Sequence, residues 1–482
     1  MSKEFTAEEE DEGYHTSPEN AESEEYRNFK EEPGDDDGEN RNPKERNSML
    51  YTALLILKGM IGAGILNLPL IFKTFGILGG IFLSFILNFI AVFVAYFLAR
   101  SKEITQRYSY AVYSKLVLGT TGSVIMKIAL IIMLSTLAVV QLIVFGDVFK
   151  GLSLLFYDID VKILILEIAL VLSPFMFQKD ISGITKYAYF GIIGLGIFYG
   201  CTVILFISKY SKNNLHFEKS MLFPNGSFKD LFRCVGGYYN AFTFHMAYFS
   251  YYLPLKPRNT KTMMKSVTIG TIAGSLIYSS YGIIYFLMYG NQINDSALKY
   301  LQYDLREAHK NHEKGIVFVF IICFLSFILN ASISTMTHFY LFKSQLIALI
   351  KFFLSKLQKK SEIKIIPLVD LKDGEKSVSK SDEIKNSSNI ENNELLSEKA
   401  KFIITLVCYI FTIIMATTFD KIIILDSFNG STVANYINLI APSIFYLYFS
   451  RGKNYYKEKA MALFNLIFGV SLILLFFILS FY

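Results

Sequence analysis

Leu57-Lys58-Gly59-Met60-Ile61-Gly62-Ala63-Gly64-Ile65-Leu66-Asn67-Leu68-Pro69 is an apolar stretch that carries three glycines, a proline and a lysine. It lies inside a run long enough to cross a hydrocarbon core, where lipid otherwise keeps a helix regular. Freed backbone N–H and C=O groups cost several kcal/mol in hydrocarbon unless they line a cavity or find neighbours. Discontinuous helices in secondary transporters use such a break to offer amide donors to an anionic group and carbonyls to a cation. Close packing through Gly59, Gly62 and Ala63 reads the same residues another way. Lys58 sits just before the glycines. An ionised lysine at mid-bilayer costs on the order of 2.5–3.5 kcal/mol, so it either faces a cavity or partner or snorkels to the boundary.

The rest of the chain has the same character. Of 482 residues, 52% are hydrophobic and only 18% charged. A soluble domain carries about a quarter charged residues, so this chain lacks what holds a surface in water. Apolar runs recur at 50–73, 77–100, 124–149, 161–178, 186–208, 230–255, 264–290, 315–345, 400–424, 430–450 and 460–482. The expectation is an all-α membrane protein with about eleven transmembrane helices. Cys201, Cys234, Cys323 and Cys408 all fall in or beside these runs, with no spacing that suggests a metal site or disulfides.

Two polar segments flank and interrupt the transmembrane region of 47–482. Residues 1–46 hold 17 acidic against 6 basic residues, a net −11 that cannot bury enough apolar surface to order itself, so a disordered acidic tail is expected. Residues 351–399 are rich in Lys, Ser, Glu and Asn and read as a disordered loop. The whole chain is +6, so the remainder is +17, which suits loops facing an anionic leaflet and needs no nucleic acid. Basic residues cluster in the even-numbered loops, among them Arg100, Lys102, Lys256, Arg258, Arg451 and Lys453. That asymmetry puts the N-terminus and both polar segments in the cytoplasm. The sequons at Asn225 and Asn294 then fall on the other side.

Other polar residues within spans are Gln141 and Asp147 in the third, Glu167 in the fourth, His245 in the sixth, and Asn330, Ser332, Ser334 and His338 in the eighth. Asp147 and Glu167 lie near span ends, where water satisfies them. His245 could titrate against a proton gradient, although a neutral histidine bonded across helices is the favoured reading. No nucleotide-binding P-loop, His-Glu-x-x-His or nucleophile elbow is present, so nothing points to an enzyme, a cofactor or a metal.

Lys58 to Pro69 followed by Gly76 closely resembles the first-helix signature of the amino acid/auxin permease family. The Lys-Gly pair is more similar to the proton-assisted and vacuolar amino acid transporters than to the sodium-coupled neutral ones, which carry asparagine at the Lys58 position. Phe145-Gly146-Asp147, Phe242-Thr243-Phe244 with Leu253-Pro254-Leu255, Tyr285 to Gly290, and Asn429-Gly430-Ser431 with Ala441-Pro442 extend the resemblance over residues 47–482.

The resemblance implies two inverted five-helix repeats, spans 1–5 and 6–10, plus an eleventh helix. Substrate would bind where spans 1 and 6 unwind, with its carboxylate on Gly62, Ala63 and Gly64 beside Ile65. Phe244, His245, Met246 and Ala247 form the sixth-span counterpart, and Gln141 faces them from the third. Lys58, Asn330 and Ser332 take the place of a coupling-ion site. His245-Met246 replaces the Glu-Gly pair usual in the proton-assisted branch, and Leu55 replaces a histidine often found there. The implied function is proton-coupled transport of neutral amino acids at the plasma membrane or a vacuolar or lysosomal-type membrane. Sodium coupling, or an amino acid-sensing receptor with little flux, are the alternatives.

Overall fold

The computed structural model describes residues 47–178, 188–294, 296–364, 396–419 and 422–481. The tail 1–46 and most of the loop expected at 351–399 lie outside the described residues. Among the described residues the chain is helical, with one isolated bridge between Asn47 and Leu255.

The helices are α1 (Met49–Met60), α2 (Leu68–Thr105), α3 (Tyr110–Ser153), α4 (Val161–Met176), α5 (Ala188–Ser211), α6 (Phe228–Ala241), α7 (Tyr248–Tyr252) and α8 (Thr260–Tyr289). They continue as α9 (Ala297–Lys310), α10 (Lys314–Lys364), α11 (Glu398–Thr418), α12 (Ile422–Ser431), α13 (Ala441–Phe449) and α14 (Tyr456–Phe481). Polar residues start several of them. Ser48, Asp160, Ser227, Asn259 and Ser397 each accept a backbone N–H of the first turn, which satisfies donors that have no intrahelical partner.

Seven helical stretches are long and apolar enough to cross a membrane unaided: Ala63–Thr105, Tyr110–Ser153, Phe190–Ser211, Thr260–Gln292, Lys314–Gln358, Glu398–Thr418 and Tyr456–Leu479. The other expected spans are short or broken. The span expected at 50–73 divides into α1 and a 3-10 turn, Ala63–Asn67, that feeds α2. Gly76, with φ of 68°, separates it from the span expected at 77–100. The span expected at 230–255 divides into α6, a 3-10 turn at His245–Ala247, and α7. The chain after α12 passes through a π-helical turn, Tyr436–Ile440, into α13. α10 runs on to Lys364, into the segment expected as a loop. The polar stretch after α8 contains a helix, α9, because Leu298, Leu301 and Leu305 at helical spacing bury one face.

Two kinds of surface hold this arrangement. Outward residues such as Phe82, Phe85, Phe89, Leu170, Val171, Ile403 and Val407 are exposed. An apolar band of this extent suits lipid rather than water. Inside, small residues let backbones approach. A Cβ on Gly270 of α8 would stand 2.7 Å from the Ala53 carbonyl of α1, and one on Gly430 of α12 would stand 2.0 Å from the Gly236 carbonyl of α6. Among the described residues, packing through glycine thus places α1 on α8 and α6 on α12.

Candidate functional site

The first break is built from Ile61 and Gly62. The Ile61 N–H still bonds back to Leu57, but Ile61 turns out of the helix with ψ of 89°, and Gly62 is extended. The Gly62 N–H folds onto the Met60 carbonyl at 2.9 Å, and the 3-10 turn begins at Ala63. Ala63 and Gly64 therefore stand at the start of a new helical segment, where N–H groups have no intrahelical acceptor. Those donors and the positive end of the segment favour an anion. Ala63 and Ile65 are buried.

The second break faces the first. α6 ends at Ala241, and Phe242, Thr243 and Phe244 leave helical geometry before the turn His245–Ala247. A Cβ on Gly64 would meet the Ala241 Cβ at 3.4 Å, and one on Gly59 would lie 3.9 Å from the Phe244 Cβ. The same Cβ on Gly59 would stand 2.3 Å from the Tyr251 hydroxyl of α7. A side chain at Gly59 would displace the Tyr251 hydroxyl. From the third side, the Gln141 amide nitrogen of α3 lies 3.8 Å from the position of a Cβ on Gly62. Gly62 thus lies beside Gln141, Gly64 beside Ala241 and Gly59 beside Phe244.

Not every candidate joins that group. The His245 ring bonds the Ala91 carbonyl of α2 at 2.8 Å and stacks on Phe244, while the Tyr110 hydroxyl donates to the His245 carbonyl. Its imidazole is engaged as a cross-helix tie. The Met246 N–H donates to the Asn438 side-chain oxygen at 3.1 Å, and the Ala247 N–H to the Phe244 carbonyl at 3.0 Å. Asp147 and Lys150 occupy an end of α3. The Asp147 carbonyl accepts from Gln302 of α9, and Lys150 pairs with Asp158 in the following loop. That bond holds the Asp158 carboxyl below its ordinary range.

Lys58 points to α10. Its ammonium donates to the Ser334 hydroxyl at 2.8 Å. A Cβ on Gly191 of α5 would lie 3.1 Å from the Lys58 Cε and 3.4 Å from the Asn330 side-chain oxygen, so α1, α5 and α10 meet around the cation. Among the described residues His338, one turn past Ser334, is a further charge-capable group near Lys58. Asn330 is buried, and among the described residues its oxygen has no partner. Ser332 is elsewhere, with its hydroxyl bonded to the Ile328 carbonyl of its own helix. Ser334, and not Ser332, meets Lys58, because helical geometry puts residues 330, 334 and 338 on one face and 332 off it.

One polar cluster has no counterpart in the sequence reading. Asp426 of α12 is 2% exposed. Its carboxylate accepts from the Asn67 amide at 2.6 Å and from the Asn240 amide at 3.4 Å. Asn67 ends the turn after the first break, and Asn240 immediately precedes Ala241 at the second. The cluster therefore adjoins both.

Residues 45–482 match the family described as transmembrane amino acid transporter protein. The chain is 24% identical over 251 residues to the amino acid transporter AVT6C of Arabidopsis thaliana, which covers 48% of this chain and 57% of that protein. It is 23% identical over 265 residues to the sodium-coupled neutral amino acid transporter 7 of Danio rerio, covering 52% and 56%. A third relative, the amino acid transporter AVT6E of Arabidopsis thaliana, is 23% identical over 274 residues, covering 54% and 56%. These matches span a little over half the length of each relative. The family match, by contrast, takes in nearly all of the helical region, and the chain belongs to the transmembrane amino acid transporter family as an integral, multi-pass membrane protein.

Proposed function

We propose that this protein carries neutral amino acids across a membrane by alternating access, driven by protons. The observation that supports this reading is the meeting of two helix breaks, at Ile61–Gly62 and Phe242–Phe244, beside Gln141. The α-carboxylate takes the N–H groups of Ala63 and Gly64, at the start of a helical segment. Ile65 and Phe244 are buried apolar residues beside the breaks. With Ala247 and Met246 they would leave the substrate side chain an apolar surround and no fixed charge. Segments 49–75 and 228–252 become equivalents in two inverted five-helix repeats, followed by an eleventh span. The N-terminus then lies in the cytoplasm, at the plasma membrane or at a vacuolar or lysosomal-type membrane.

Lys58 supports protons over sodium. A fixed ammonium bonded to Ser334 beside Asn330 occupies the junction of α1, α5 and α10. A sodium ion there would meet a like charge at contact distance, an unfavourable pairing in a low-dielectric setting. The test is uptake of a panel of labelled amino acids into proteoliposomes, with the pH gradient set in each direction and sodium replaced by choline. Accumulation of a neutral amino acid that follows the pH gradient and ignores the replacement is expected. Uptake that requires sodium, or that ignores the gradient for every amino acid, would refute the proton-driven reading.

A further inference from the structure

We propose that Asp426 is a proton-binding site whose occupancy closes the half of the transporter formed by the 63–67 turn, α6 and α12. The inference rests on the proton-driven reading above. Three separate pieces of chain meet at this one carboxylate: Asn67 past the first break, Asn240 before the second, and Asp426 itself on α12. All three are buried, and both bonded partners are neutral amides. The glycines described above let α6 and α12 touch around the cluster. A Cβ on Gly236 would stand 1.9 Å from the Ser431 hydroxyl, and one on Gly430 would stand 2.8 Å from the Asn240 Cβ.

Other titratable groups lie on the elements packed around α12. α6 carries Lys229, Asp230, Arg233, Cys234, Tyr238 and Tyr239, and α3 carries Tyr110, Tyr113, Lys115, Lys127, Asp147 and Lys150. α14 carries Tyr456, Lys457, Glu458 and Lys459 at its start, while the 63–67 turn carries none. Arg233 is exposed and borders Ser431, Phe476 and Leu479 on the outer side of α6. The groups bonded to Asp426 remain Asn67 and Asn240.

A carboxylate ion enclosed by neutral groups keeps a desolvation penalty that hydrogen bonds repay only in part. Adding a proton removes the charge and turns one carboxylate oxygen into a donor. Acceptors for that donor are in place. Among the described residues, the side-chain oxygens of Asn240 and Asn429 are buried without a partner, and Asn429 lies one helical turn beyond Asp426. The nitrogen and oxygen of an asparagine amide exchange places on rotation, so Asn240 can accept from a protonated Asp426. Ionised, the carboxylate calls for water, which enters when α6, α12 and the 63–67 turn part. Protonated, it completes the three-way contact and lets them close over substrate. The proton comes from water on this side, travels with the substrate, and returns to water when the opposite half opens.

The test uses the full-length protein in proteoliposomes, as wild type, Asp426→Asn and Asp426→Glu. A one-unit pH gradient drives at most about tenfold accumulation for each proton coupled to a neutral substrate. Wild type is expected to accumulate substrate in that direction. Asp426→Asn is expected to lose the accumulation while still exchanging substrate, at a rate that no longer varies with pH. Asp426→Glu is expected to keep accumulation with a displaced pH profile. Gradient-driven accumulation by Asp426→Asn would overturn the proposal. So would loss of substrate binding in a monodisperse Asp426→Asn preparation, which would make Asp426 a substrate ligand. If Asp426→Asn does not fold, Asp426→Glu decides, and a pH profile superimposed on that of wild type overturns it. A wild type indifferent to the gradient brings down the proton-driven reading as well, an outcome separate from failure of the variants alone.

Discussion

Gly59 and Gly62 stand one turn apart in the first broken span, yet each needs to be glycine for a different reason. At Gly59 the added Cβ meets the Tyr251 hydroxyl at 2.3 Å, so the requirement is packing. At Gly62 the nearest atom is the Gln141 amide nitrogen at 3.8 Å, so the space is open to a methyl group; in the function proposed above it is left for substrate. Gly59→Ala should destabilise the protein by about 1–3 kcal/mol, as overpacking typically does. Tyr251→Phe should relieve much of that loss, because the closest remaining atom is the ring carbon at 3.4 Å. Gly62→Ala should keep the wild-type melting temperature while weakening substrate binding. Apparent melting temperatures in detergent, read beside uptake KM, separate the two cases. A large loss of stability in Gly62→Ala would contradict the assignment.

Among elements, the contact between α6 and α12 carries most of the new information. Gly430 there meets the Gly236 carbonyl, whereas Gly200 on α5 faces open space. Gly430→Ala should therefore force the helices apart, with a cost of at least about 1–3 kcal/mol and loss of transport. Gly200→Ala should be neutral or stabilising by up to about 1 kcal/mol, since it only raises helix propensity. Thermal unfolding of the two variants checks the contrast. This contact was the least legible part of the sequence. The first break announced itself through Gly59, Gly62, Gly64 and Pro69, which disturb an apolar run. The second has no glycine at Phe242-Thr243-Phe244, so only its resemblance to a family pattern marked it. Asp426 fell between the runs at 400–424 and 430–450, because a ten-residue helix bearing Asp, Ser and Asn lowers local hydropathy below that of a span. α9 lies between the apolar runs at 264–290 and 315–345, where only Leu298, Leu301 and Leu305 at helical spacing signal a helix.

At the scale of the molecule, the apolar runs were enough to establish an all-α membrane protein, because only helices satisfy a single chain's backbone groups span by span in lipid. Which helices break, and which face which, depends on long-range packing that no local window contains. Lys58 illustrates this. Its place in the first span was plain, but its partner Ser334 lies 276 residues away, and the sequence pointed instead to the neighbouring Ser332, whose hydroxyl bonds its own helix. The two breaks, Gln141 and the Lys58 junction now form one connected centre, with Asp426 on the side toward which α1 runs.

The central claim is that the first break holds a substrate carboxylate, and comparing a transported neutral amino acid with its α-carboxamide tests it most directly. The two differ little in size, but only the first presents an anion to the N–H groups of Ala63 and Gly64. In proteoliposomes under the same pH gradient, the amino acid should accumulate, and the carboxamide should neither accumulate nor compete. Equal uptake of the carboxamide, or equal competition by it, would contradict the account.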